Sequence, residues 1–137
     1  MKQLAENWLE YARRDLQAAQ QLASKADLAA LVAFHCQQCI EKSLKALLEL
    51  HDEPIPRIHD LVTLLERVKE REALEAEEDT LLQIDDAYID ARYPKSEMPA
   101  AMQSPSLAKA NEFVKLAKEI HEAASRRVAE RSTDKEA

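Results

Sequence analysis

Glycine is missing altogether from the 137 residues, where ordinary usage near 7% would supply roughly nine or ten. A Walker A loop, a GxGxxG dinucleotide turn and an EF-hand loop each need that residue. The backbone there takes φ > 0 or presses against a ligand. Those ways of holding phosphate or calcium are excluded, and two-residue β-hairpins lose their usual turn. Aromatic residues are scarce at 4%. The longest apolar run, Leu28–Phe34, is far too short to span a bilayer, and the opening MKQLAENW lacks a signal-peptide apolar core. Two cysteines make no disulfide framework, so a cytoplasmic chain away from membranes is expected. Positive charge is in deficit: 19 Lys+Arg against 26 Asp+Glu leaves a net −7 and a pI near 5.1. Such a chain should not bind nucleic acid non-specifically, and any phosphate must be met by a local cluster of cations.

What is present is helical material: 46% apolar and 33% charged residues at a length that suits one domain. Periodicity predicts an all-α antiparallel up-down bundle of about five helices with no sheet. A single domain over residues 1–131 would be followed by a flexible tail, 132–137. The first helix runs from about Leu4 to Ser24 and carries Asp15 inside its apolar stripe, where a carboxylate needs a partner or a wet edge. The second, about Leu28 to His51 with Asp27 as N-cap, has an apolar face broad enough for the centre of a bundle. Its other face carries Gln37, Glu41 and Lys45. Asp52-Glu53-Pro54-Ile55-Pro56 breaks the chain. A third helix begins at His59 or Asp60 and reaches about Arg71, and a fourth covers about Asp79 to Ala91. Tyr93–Gln103 reads as a loop. Ser104-Pro105 is a helix start, and the fifth helix would bury Phe113, Ala117 and Ile120 before fraying through Ser125-Arg126-Arg127.

Few groupings point to chemistry. Cys36-Gln37-Gln38-Cys39 is a CxxC, but it falls mid-helix on the apolar strip. There it lacks the turn that gathers metal ligands and the helix N-terminus that activates a thiol. Two small buried residues at a helix contact is the expectation, with no metal and no cofactor. His35, Gln38, Lys42, Lys45 and Glu49 step by three and four along one helix edge. Such a line is either a solvated flank or a cationic cradle for phosphate. His59-Asp60-Leu61 offers Asp60 as a helix cap and leaves His59 for another partner. Arg92-Tyr93-Pro94 closes helix four with an Arg that suits the helix dipole or a bidentate phosphate contact.

Taken in order, these blocks resemble the HEPN family (higher eukaryotes and prokaryotes, nucleotide-binding). The resemblance rests on Trp8 and Arg14-Asp15-Leu16, on the helix-two block from Ala33 to Leu48, on His59-Asp60-Leu61 and on Ala91-Arg92-Tyr93-Pro94. It implies an up-down bundle that forms homodimers. It also implies a gene neighbourhood with a minimal nucleotidyltransferase, as its partner or as the toxin of a toxin–antitoxin pair. Ribonuclease members carry an Arg, four to six residues, then a His, and cut RNA without metal across the dimer. None of His35, His51, His59 and His121 follows an arginine at that separation, so no catalytic residue is assigned. The expectation is a non-catalytic dimer that binds a nucleotide-like ligand, a nucleotidyltransferase, or both. Lys42, Lys45, His59, Asp60, Arg92 and Tyr93 are the candidate contacts, with Tyr93 available to stack on a base. Two alternatives stand beside it: a diverged ribonuclease toxin using His59 and Arg92, and a scaffold in which His59, Asp60 and Arg92 align helices.

Overall fold

The computed structural model describes residues 2–92, 94, 97–99 and 104–136, the side chains of 90, 92 and 132–136 excepted. Five α-helices and no strand occur among the described residues: α1 (Lys2–Leu22), α2 (Ala29–Leu50), α3 (Leu61–Lys69), α4 (Glu78–Arg92) and α5 (Leu107–Glu136). Contacts between side chains fix their directions. Trp8 lies by Lys45 and Asp15 by His35, so α1 and α2 run antiparallel. His121 reaches the Leu9 carbonyl and Asn111 the Ala23 carbonyl, which sets α5 antiparallel to α1. Phe34 stacks on Tyr88; Gln37 donates to the His59 carbonyl, and Asp85 accepts from the Leu61 amide two residues on. That sets α4 antiparallel to α2. The four long helices thus form an up-down-up-down bundle, as periodicity predicts, with short α3 bridging α2 and α4.

Helix α2 is the axis. Val32, Ala33, Cys36, Cys39, Ile40, Leu44, Ala46 and Leu47 are wholly buried, and it packs on every other helix. Small residues at Ala33, Cys36 and Cys39 let neighbours approach; Cys39 Sγ lies 3.9 Å from the Ala117 carbonyl on α5. Burial pushes the Cys39 thiol up to about 12 and the Cys36 thiol higher still. The CxxC is therefore core material.

The end of α2 shows how a chain without glycine stops a helix. Asp52 takes the left-handed conformation, φ 56°, that glycine usually fills. Its N–H donates to the Glu49 carbonyl and the Glu53 N–H to the Leu48 carbonyl, the paired bonds of a Schellman ending. Asp tolerates this geometry better than most L-residues because its short polar side chain bonds locally.

Several local expectations are corrected. Asp27 does not cap α2; it sits within a 3-10 turn, Ala26–Leu28, and Leu28 occupies the cap position with no side-chain bond. The cap of α5 is Ser106, not Ser104: its Oγ accepts from the Lys109 amide, three residues on, where a capping oxygen reaches. The fifth helix does not fray at Ser125–Arg127. Ala123, Ala124 and Val128 are buried, and Arg127 donates to the Ala73 carbonyl, so packing carries the helix past the point where local signals weaken. Gln37, Glu41 and Lys45 do not form an outer face, since all three are buried.

Candidate functional site

The double-proline segment returns the chain to the middle of α2, where two charged clusters form. Glu41 is the centre of the first. Its side chain is 6% exposed, with His59 Nδ1 2.6 Å from one oxygen and Lys45 Nζ 3.7 Å from the other. Lys45, itself 8% exposed, lies over the Trp8 ring. Gln37 Nε2 donates to the His59 carbonyl at 2.9 Å, and Gln38 Nε2 donates to Gln37 Oε1. One helix turn thus holds both the backbone and the imidazole of residue 59. Asp60 caps α3 as expected: Oδ1 accepts from the Val62 amide and Oδ2 from the Thr63 hydroxyl.

Asp85 of α4 closes the cluster by accepting from the Leu61 amide at 3.0 Å. Burial pushes its carboxyl up to about 6, and the negative charges of Asp60 and Glu41 add to that; the Leu61 amide and the Gln37 side chain oppose it. A half-buried acid close to neutrality and a histidine held by a buried carboxylate line one groove of about 310 Å³, together with Asp60, Leu82, Asp86, Tyr88 and Ile89. The His59 ring is 66% exposed. With Nδ1 on Glu41, its Nε2 is the nitrogen left for a ligand.

Asp15 centres the second cluster. His35 Nδ1 lies 2.9 Å from one of its oxygens and Lys42 Nζ 2.6 Å from the other. Burial alone would raise the Asp15 carboxyl, but hydrogen bonds from His35 and Lys42 outweigh it and hold the group below its usual range. This answers the demand for a partner that a carboxylate in an apolar stripe creates.

The cationic line of α2 is therefore split in two by packing. Lys45 and His59 meet on Glu41, and Lys42 pairs with Asp15 beside His35, so each lysine is neutralised inside the fold. Asp60 adjoins His59. The Arg92 side chain and Tyr93 lie outside the described residues. Sequence reasoning passed over Gln37, Glu41 and Asp85 as site members. A usable signal existed for the first two: polar residues at four-residue steps, ending in Lys45, on a helix otherwise apolar nearly all round mark a buried seam.

A third cluster braces the far end. Glu72, 9% exposed, meets His51, Arg127 and Arg131 at 2.9, 3.4 and 3.3 Å. One carboxylate in the α3–α4 connection is shared by α2 and α5. Among the described residues, no three His, Cys, Asp or Glu side chains are placed to hold a metal ion, and no helix is long and apolar enough to cross a membrane.

An up-down bundle with a buried charged seam along its central helix is the class that fold and site define. The chain belongs to the HEPN family: the HEPN domain model matches residues 5–128. It is similar to the crystal structure of TT1696 from Thermus thermophilus, at 30% identity and a TM-score of 0.74, covering 89% of this chain and 96% of that one. It is also similar to the crystal structure of ST0689, an archaeal HEPN homologue, at 26% identity and a TM-score of 0.67, covering 90% and 97%. No match is found among curated proteins.

Proposed function

We propose that this chain is a non-catalytic HEPN-domain binding protein that acts as a homodimer and as the partner subunit of a minimal nucleotidyltransferase. One observation carries the reading. Among the described residues, the two lysines that would grip a phosphodiester are already committed, Lys42 to Asp15 and Lys45 to Glu41. Large apolar side chains stand exposed meanwhile, among them Leu4, Tyr11, Leu31, Leu82 and Ile89, and leftover apolar surface usually marks an interface. A nucleotide-like ligand would displace a carboxylate from Lys42, on the Asp15 side of α2 and away from the groove beside His59. Light scattering should give about twice 15.6 kDa, and a minimal nucleotidyltransferase co-expressed from the same source should co-purify at fixed stoichiometry. A monomer at micromolar concentration together with no co-purification defeats the reading. Titration with ATP, GTP and short RNA separates the ligand arm.

A second reading is favoured by one feature, the Glu41–His59 pair facing the same groove as Asp85. A carboxylate-held imidazole beside an acid near neutrality is acid–base equipment, as a diverged ribonuclease would need. Purified protein that degrades RNA, with the activity lost in His59→Ala, would favour it over the non-catalytic reading.

A further inference from the structure

The groove beside His59 carries a pattern that nucleotide binding does not use. Along α4, Leu82 and Ile89 stand two turns apart and are 50% and 53% exposed. Asp85 and Asp86 fall between them, and Asp60 adds a third carboxylate from the facing wall. The stripe therefore reads apolar, acidic, apolar at i, i+3/i+4 and i+7, the spacing of one helix face.

On the non-catalytic reading, three carboxylates make this groove a poor seat for phosphate, so a nucleotide is not its occupant. A second copy presenting the same stripe would set acid against acid, which removes a symmetric pairing through this face. What complements it is a helix carrying apolar residues seven apart with Lys or Arg between them, laid into the groove as amphipathic helices dock. A volume of about 310 Å³ accommodates a few such side chains rather than a domain edge.

We propose that the groove between the His59–Asp60 turn and α4 is a docking site for a basic amphipathic helix of a partner protein. This deepens the partner-subunit reading and is tested apart from it. A fluorescein-labelled 15-residue helical peptide, with leucines seven apart and Lys-Arg between them, is titrated with full-length protein by fluorescence anisotropy. Saturable binding is expected, at least tenfold weaker for Ile89→Glu and for Asp86→Lys, weaker in higher salt, and absent for a scrambled peptide. Glu119→Lys, in the separate acidic groove formed with Glu75, Glu77 and Glu112, should leave it unchanged. Both test positions are exposed, and thermal melts confirm that each variant is folded. No saturable binding, equal binding of the scrambled peptide, or an equal loss in Glu119→Lys overturns the proposal. Peptide binding without nucleotidyltransferase co-purification defeats only that partner's identity; co-purification that survives Ile89→Glu and Asp86→Lys defeats only the groove.

Discussion

Replacing Glu41 by Gln tests whether the buried seam is an ion-pair network or merely a polar lining. The substitution keeps the shape and removes one charge. Lys45, almost fully enclosed, then loses the carboxylate it pairs with, while the new amide still accepts from His59. Removing one partner of a buried pair costs roughly 3–5 kcal/mol, because the other charge stays buried. The 3.7 Å separation is longer than a hydrogen bond, which places the expected cost near the low end, about 3 kcal/mol. With a urea m value of about 1.5 kcal/mol/M for a domain of this size, the midpoint should fall by about 2 M. Glu41→Gln with Lys45→Met removes both charges, and apolar replacement of a buried pair is often close to neutral. The double variant should therefore recover most of the loss, about 2 kcal/mol relative to Glu41→Gln alone. Unfolding is followed by circular dichroism at one fixed protein concentration, since self-association would add to apparent stability. A midpoint shift below about 0.5 M for Glu41→Gln, or a double variant no better than the single, would refute the reasoning.

Other outcomes follow from the same geometry. Asp15 and Asp85 titrate with opposite signs. Asp15, held below its usual range, contributes stability above about pH 4 that is lost as pH falls through its folded value, and Asp15→Asn should abolish that acid limb in melts from about pH 2 to 5. Asp85, raised to about 6, weakens the fold as it ionises between about pH 4 and 6. Asp85→Asn should therefore raise the melting temperature at about pH 7.5 and leave it unchanged at about pH 3.5. Asp52→Gly relieves the left-handed strain at the end of α2; urea titration should show a gain of about 0.5 kcal/mol, against a loss of about 1 kcal/mol for Asp52→Ala. Cys36 and Cys39 should react with a thiol reagent only on unfolding, so rapid labelling of native protein would contradict their burial.

How much was legible beforehand depended on the distance over which each feature is decided. The five helices, the proline break after α2, the Asp60 cap and the burial of the CxxC all follow from neighbours within a turn or two. The missed caps at Leu28 and Ser106 were one- and two-residue errors, the span over which helix ends fray or tighten into a 3-10 turn. The charged seam was misread for a different cause. Periodicity shows that Gln37, Glu41 and Lys45 share an edge of α2, but not that the 51–60 segment and α4 fold back to cover it. Nor can it show that Lys42 will meet Asp15, that His59 will meet Glu41, or that His51, Arg127 and Arg131 will converge on Glu72.

The sequence by itself determined the class of the protein: a glycine-free helical bundle with the ordered blocks of the HEPN family and no Arg–His ribonuclease spacing. Tertiary structure alone decided which charges are paired and which surface is left. A cation's partner is set by how helices cross, and a carboxylate's pKa by what buries it. The groove of apolar and acidic side chains beside His59 exists only because α3 and α4 are docked.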